Sequence, residues 1–183
     1  NGGQTIRALL ALPAVTGSYG KKGAGAFYSQ SSQVVWNGEA IGKFSECPPT
    51  PRIVNMNRLG AALTGEVSDP PIKSLYCFIA NPVTSTPNSP EIIRGLLRDD
   101  LFTVVHEQFM TDTARFADIV LPATSQLEVD DIVKPSGHRH IHFNNAAMAP
   151  RGEARGNWDV QRQIAKAMGY TDSWFDQTNI EVA

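Results

Sequence analysis

Three short apolar runs, each closed by proline or by polar residues, constrain this chain more than any other feature. Leu75-Tyr-Cys-Phe-Ile79 ends at Asn81-Pro82, Phe102-Thr-Val-Val105 gives way to His106-Glu107, and Ile119-Val-Leu121 stops at Pro122. Continuous apolar runs of this length suit fully buried strands of a parallel sheet. Between the first two, Pro90 to Leu97 reads as a helix with Ser89 as N-cap and Pro90 in its first position. Between the second and third lies a short helix around Thr111 to Phe116, capped by Thr111 or Asp112. Strand, helix, strand, helix, strand at this spacing predicts right-handed crossovers. The predicted fold class is α/β, a Rossmann-like three-layer sandwich on a mostly parallel sheet.

The flanks are less regular. Thr5 to Thr16 has helix formers with apolar residues around nearly every face, which predicts a buried helix bent at Pro13, with Gly17 and Gly20 as stop signals. Gly20 to Gly25 is a glycine-rich turn, and from there to Pro51 the chain reads as a long loop. Asn57 to Leu63 predicts a short helix ended by Gly65, and Asp69-Pro70-Pro71 punctuates the chain before the first strand. Downstream, His138 to Phe143 alternates with period two and reads as a strand or hairpin arm. Pro150 to Gly156 is a polar connection. Trp158 to Met168 is an amphipathic helix with Trp158, Ile164, Ala165 and Met168 near one face and Gly169 just past its end. One domain covering 1–183 is expected, with its core at about 70–170 and a loop-rich part at 26–70.

Composition removes several function classes. The 183 residues are 42% hydrophobic and 19% charged, a balance that can bury a core and argues against disorder. The formal charge of −2, without a long Lys/Arg run, argues against nucleic acid as a partner. Cys47 and Cys77 lack CxxC spacing and build neither a zinc site nor an iron–sulfur cluster. No apolar run reaches the roughly 20 residues of a membrane span. The chain begins Asn1-Gly2-Gly3 rather than with Met, and a helical pattern starts almost at once, as expected of boundaries cut from a longer protein.

In an open α/β sheet, ligands bind outside the carboxyl ends of the strands. The candidates are therefore Asn81 to Ser85, His106 to Gln108 and Pro122 to Ser125, whose amides and short side chains could hold a phosphate or a purine. Polar turns are also the surface default. His138, His140 and His142 have the spacing of one strand face and could share a metal, although a polar strand face explains them as well. Glu128, Asp130 and Asp131 could do acid–base work, but read more simply as a solvated acidic loop. Gly20 to Gly25 follows a helix rather than a strand, the wrong context for a dinucleotide fingerprint.

The run from Phe102 to Thr124, FTVVHEQFMTDTARFADIVLPAT, resembles the signature of molybdopterin oxidoreductases of the dimethyl sulfoxide reductase and formate dehydrogenase group: an apolar strand, two polar residues, Phe-Met-Thr-x-Thr-Ala, then Ala-Asp-(Val/Ile)-(Val/Ile)-Leu-Pro. Phe78-Ile-Ala-Asn-Pro82 is similar to that family's Gly-x-Asn/Asp-Pro loop. Ile6 to Gly25 resembles its helix followed by a glycine-rich turn, and Gly152 to Trp158 resembles the connector before a helix ending in Met-Gly-Tyr or Met-Gly-Phe. The resemblance covers nearly the whole chain and is weakest between Phe27 and Ile72.

The resemblance implies a domain of formate dehydrogenase/DMSO reductase type, and one side of the pocket for a bis(molybdopterin guanine dinucleotide) complex of molybdenum or tungsten. It carries Asn81, Pro82 and Ser85 over as nucleotide contacts. It places His106 where Gln is frequent, with Glu107 in support. Ala123 falls where some relatives have Ser, and Asn157 where others direct Asp at guanine. No catalytic residue and no metal ligand falls in this chain, so the segment alone is not expected to be active. The metal ligand and a possible iron–sulfur cluster would belong to other parts of the parent polypeptide. Those parts, with a possible electron-transfer subunit, are the implied partners. The implied compartment is the bacterial cytoplasm, with the periplasm as the other option. A relative that has lost its pterin and serves as a scaffold, like the large iron–sulfur subunit of respiratory complex I, is one rival reading; an independent nucleotide-binding or interaction module with no redox role is the other.

Overall fold

The computed structural model describes residues 2–27, 35, 37–42, 45, 52–67, 69–134 and 140–182. It divides into two compact units, one of residues 1–36 with 133–142 and one of residues 37–132 with 143–183. The first unit carries helix α1 (Gly2–Val15), with Pro13 in its last turn. The helix forms as predicted, but none of its residues is buried; apolar composition on every face makes a helix without supplying a partner for it. Thr16 and Ser18 close its end through the carbonyls of Leu12 and Pro13, and Gly20, Gly23 and Gly25 all take the positive φ that a glycine turn permits.

The second unit holds the sheet. Its first described helix is α2 (Gly38–Gly42), inside the stretch predicted as loop; the rest of that loop lies largely outside the described residues. A 3₁₀ turn at Met56–Arg58, begun by Asn55 accepting from the Asn57 amide, leads into α3 (Leu59–Leu63). Strand β1 (Ser74–Phe78) follows, then α4 (Pro82–Ser85), α5 (Ser89–Leu96), β2 (Phe102–Glu107), a 3₁₀ turn at Ala114–Phe116 and β3 (Ile119–Pro122). All three strands are parallel, in the order β1-β2-β3. The predicted mixed α/β fold with a parallel sheet is therefore present. Asn88, in the left-handed region, rather than Ser89, precedes α5.

The register sets the faces. Leu75, Cys77, Thr103, Val105 and Val120 point one way, and Tyr76, Phe102, Val104, His106 and Leu121 the other. The first face is covered. Leu63, Val83, Ile92, Leu96 and Leu101 form the main buried cluster, against which Leu75 packs, and Cys77, Val105 and Ala114 form a second. Helices α3 and α5 approach so closely that a Cβ on Gly95 would lie 2.4 Å from the Leu63 Cβ, so only glycine fits. Arg98 ties this layer to the chain before β1 by donating to the carbonyls of Leu63 and Ile72.

The second face is only partly covered, so the strands are not buried on both sides as predicted. Opposite it stand α6 (Asn157–Ala167) and a 3₁₀ turn at Ser173–Asp176. Of α6 only Val160 is buried; Ile164 and Met168, predicted on the packed face, are exposed. Two short strands, β4 (Asp131–Val133) and β5 (His142–Asn144), make a separate two-stranded sheet, and a last helix, α7 (Asn179–Val182), ends the described chain. Strand β4 falls where an acidic loop was expected. Cys47 and His138 lie outside the described residues, and with His138 the question of a three-histidine face.

Candidate functional site

The carboxyl ends of β1, β2 and β3 meet the amino end of α6 along one edge, and two adjoining cavities open there. One, of about 270 Å³, is lined by Asn81, His106, Glu107, Gln108, Ala123 and Asn157 among others. The other, of about 340 Å³, is lined by Gln108, Thr124, Ser125, Gly156, Asn157 and Trp158 among others. Gln108, Thr124 and Asn157 belong to both.

Each loop is held by its own hydrogen bonds. After β1 the chain turns at Ile79, whose φ of +53° is costly for a β-branched residue. That position aligns with the glycine of the Gly-x-Asn/Asp-Pro loop, and the positive φ explains why glycine suits it. Asn81 Oδ1 then accepts from the Thr113 hydroxyl at 2.7 Å and the Thr113 amide at 3.2 Å, and Thr113 Oγ1 in turn accepts from the Val83 amide at 3.1 Å. Thr113 is fully buried, so the Asn81 carbonyl is a structural staple between two loops. Ser85 is exposed and donates its hydroxyl to the Asn81 backbone carbonyl at 2.8 Å. Pro82 is buried at the start of α4. Neither Pro82 nor Ser85 lines either cavity.

After β2 and β3 the edge is knitted across strands. The Ala123 amide donates to the Glu107 carbonyl at 3.1 Å, which engages the backbone group that position was expected to offer. Gln108 donates its side-chain amide to the Thr124 carbonyl at 2.9 Å, and its backbone amide to Glu107 Oε1 at 2.7 Å. The connection before α6 runs beside β3 for one step: Ala123 pairs with Arg155 in parallel, through Arg155 N to Pro122 O at 3.1 Å and Thr124 N to Arg155 O at 3.2 Å. This ladder places Gly156 and Asn157, at the start of α6, on the site.

Two acceptors at this edge are left over. His106 is 1% exposed and its Nε2 lies 3.2 Å from the Arg155 carbonyl, while its Nδ1 is buried without a partner among the described residues. Asn157 Oδ1 is likewise buried and unpartnered. Buried polar atoms are nearly always bonded, and each exception calls for an explanation such as strain, a functional role or a bound water or ion. The hydroxyls of Tyr76 and Thr103 also have no partner among the described residues, but neither residue lines these cavities.

The acidic loop has a structural task. Glu128 accepts from the Ser125 amide and hydroxyl at 2.8 and 2.9 Å and from the Arg151 amide at 2.8 Å. The Ser125 bonds, chiefly, hold its carboxyl below the usual carboxylate range. Asp130 accepts from the Ala146 amide. Cys77 donates to the Ala80 carbonyl, and burial, with Glu107 nearby, pushes its thiol up. Such a thiol is a packing group rather than a nucleophile.

Comparison with known proteins decides the family. The molybdopterin oxidoreductase family model matches residues 1–167. The chain belongs to the molybdopterin oxidoreductase family. It is 42% identical over 173 residues to a probable oxidoreductase, YoaE, of Bacillus subtilis, covering 94% of this chain and 25% of that protein. It is 28% identical to the F420-dependent formate dehydrogenase subunit alpha of Methanocaldococcus jannaschii, covering 99% of this chain and 29% of that one. Among solved structures, acetylene hydratase from Pelobacter acetylenicus matches 64% of this chain and 16% of its own at a TM-score of 0.55 and 29% identity. The chain thus spans about a quarter of the length of the curated relatives it matches.

Of the residues that sequence reasoning named, Asn81, His106, Glu107, Ala123 and Asn157 line the cavities at this edge; four others that build it were not singled out. Gln108 and Thr124 fell within the candidate loops but were not singled out. Thr113 reads as a helix-start residue, and only the fold brings it against Asn81. Gly156 carries no signal beyond being a glycine before a helix.

Proposed function

We propose that this chain is the cofactor-clamping segment of a molybdenum- or tungsten-dependent oxidoreductase, holding the guanine-dinucleotide part of one pterin of a bis(molybdopterin guanine dinucleotide) complex. The parallel sheet is then part of a Rossmann-like three-layer domain of formate dehydrogenase/DMSO reductase type. One observation carries the reading: an edge at the strands' carboxyl ends, met by the start of an 11-residue helix, where two buried atoms, His106 Nδ1 and Asn157 Oδ1, have no partner among the described residues. The residues fit the group. The helix α6 amino end favours an anion, and the acceptors suit the donors of a purine edge. Asn157 contacts guanine, His106 and Glu107 line the nucleotide, and Ala123 forms a wall. Asn81, Pro82 and Ser85 shape the loop that receives it.

When bound, the metal complex supplies the electron chemistry, and this segment contributes position and electrostatics. The metal ligand, an iron–sulfur cluster and an electron-transfer partner would come from outside this chain. The test is to purify the complete gene product anaerobically and assay metal, pterin and GMP released by hydrolysis. Stoichiometric metal and GMP, both reduced in Asn157→Ala, are expected; a folded protein carrying neither would sink the reading.

A further inference from the structure

We propose that the open face of the β1-β2-β3 sheet is the docking surface for another segment of the same polypeptide, which adds a strand parallel to β1 at its free edge and lays an apolar-striped helix into the groove beside α6. The inference rests on the reading of this chain as one segment of a longer oxidoreductase, and says where a further segment attaches and what it is made of.

The handedness of the chain decides which face is left over. Strands β1, β2 and β3 are laid down in one direction across the sheet, and both connections run over the same face. Helix α5, between β1 and β2, brings Ile92 and Leu96 into the cluster against which Leu75 packs. The connection from β2 to β3 brings Ala114 against Cys77 and Val105. Crossovers between parallel strands are right-handed almost without exception, so a strand added beyond β3 would send its helix to that same covered face. The opposite face receives crossover helices from strands laid down the other way, beyond β1.

That is where the apolar surface is unused. The groove of about 710 Å³ is lined by Tyr76, Phe102 and Val104 of the sheet and by Ile164, Met168 and Tyr170 on the other side. Phe102, Met168 and Tyr170 are half exposed or more. A contiguous exposed apolar patch marks an interaction surface, and strands of a parallel sheet are characteristically covered on both faces. The edge is unused as well, since among the described residues β1 pairs with β2 alone. The Lys73 carbonyl faces β2, where it accepts from the Phe102 amide at 2.9 Å. Alternation along the strand then turns the amides of Ser74, Tyr76 and Phe78 to the free edge, a template for one more strand.

The relatives indicate where that strand and helix come from. The chain spans about a quarter of the length of the curated relatives it matches, so most of such a polypeptide lies outside it. A tethered segment meets the groove at a far higher effective concentration than a separate molecule does. A second copy of this chain is the competing occupant.

The complete gene product is made with Met168→p-benzoylphenylalanine, irradiated, and digested for mass spectrometry. The expected product is a cross-link within one polypeptide, joining position 168 to a peptide outside these 183 residues that carries apolar residues at helical spacing. Tyr170→p-benzoylphenylalanine, which exchanges one aromatic ring for another on the same groove, serves if the first variant fails to fold by thermal melting. Residue-resolved hydrogen exchange on the unsubstituted protein should slow the Tyr76 and Phe78 amides to within about tenfold of those of Leu75 and Cys77, which face β2. A cross-link to a second copy or to any other polypeptide, one confined to residues 1–183, or none from either position overturns the proposal. So do Tyr76 and Phe78 amides that exchange freely. None of these outcomes bears on metal or GMP content, which tests the cofactor reading separately.

Discussion

The two faces of the β1-β2-β3 sheet are written in similar residues and end in different states. On one, Ile92 and Leu63 are fully buried against Leu75 and its neighbours, with Gly95 allowing α5 to settle onto α3. On the other, Tyr76, Phe102 and Val104 face Ile164, Met168 and Phe175 across an apolar groove of about 710 Å³, and Phe102 and Met168 remain 50% and 70% exposed. Burial of an aliphatic side chain contributes roughly 1.5–3 kcal/mol, so the first face stabilises the sheet and the second contributes far less. An apolar residue on a strand states a capacity for burial; whether that capacity is used depends on what the rest of the molecule brings to it.

The comparison can be broken in four ways. The largest effect is expected from Ile92→Ala, which leaves a cavity in the packed face and should cost about 2–5 kcal/mol, read as faster hydrogen exchange of the α5 and β1 amides. Next is Thr113→Val, which removes the hydroxyl joining Asn81 to the Val83 amide. A loss of about 1–3 kcal/mol, concentrated in the loop after β1, is expected, together with weaker nucleotide retention. Met168→Ala on the open face should change the stability of these 183 residues alone by less than about 0.5 kcal/mol. In the complete protein, a cost comparable to that of Ile92→Ala would show that the groove is filled.

The smallest effect concerns Asp100, which links the two ends of the packed layer. Its carboxyl is held down at about 2, first by the Arg98 hydrogen bond and then by that of Lys73. A carboxylate with a folded pKa below its unfolded one contributes stability that is fully present above the ordinary carboxylate range and lost as pH falls through about 2. Asp100 is exposed, so the contribution is small and screened by salt. Acid melts at low and high ionic strength should show a slope between the ordinary carboxylate range and pH 2 that Asp100→Asn abolishes; an unchanged slope would remove Asp100 from the account.

Much of the fold was legible because its signals are local. The three strands, the helix after Asn88, the turn begun by Thr111 and the helix from Asn157 each follow from short runs, caps and breakers that act within a few residues. The chain also displays its family directly, since the run from Phe102 to Thr124 is continuous. What could not be read was anything that depends on a distant partner. Helix α1 was expected to be buried on the strength of its composition, and none of its residues is. Strand β4 was read as an acidic loop because Asp130 and Asp131 mask a pairing that only β5 supplies.

The site divides in the same way. The sequence by itself determined that polar residues follow each apolar run, and hence that a polar edge exists, because strand ends and turns are set by local chemistry. Only the tertiary structure decided which of those groups are spent on bonds within the chain and which have no partner among the described residues. Asn81 looks like a free reader, but Thr113, 32 residues away, takes its oxygen. His106 looks like one polar residue among several until the Arg155 carbonyl, 49 residues on, engages Nε2 and leaves Nδ1 without a partner among the described residues. Hydrogen-bond capacity belongs to the residue, but its allocation is a property of the packed chain.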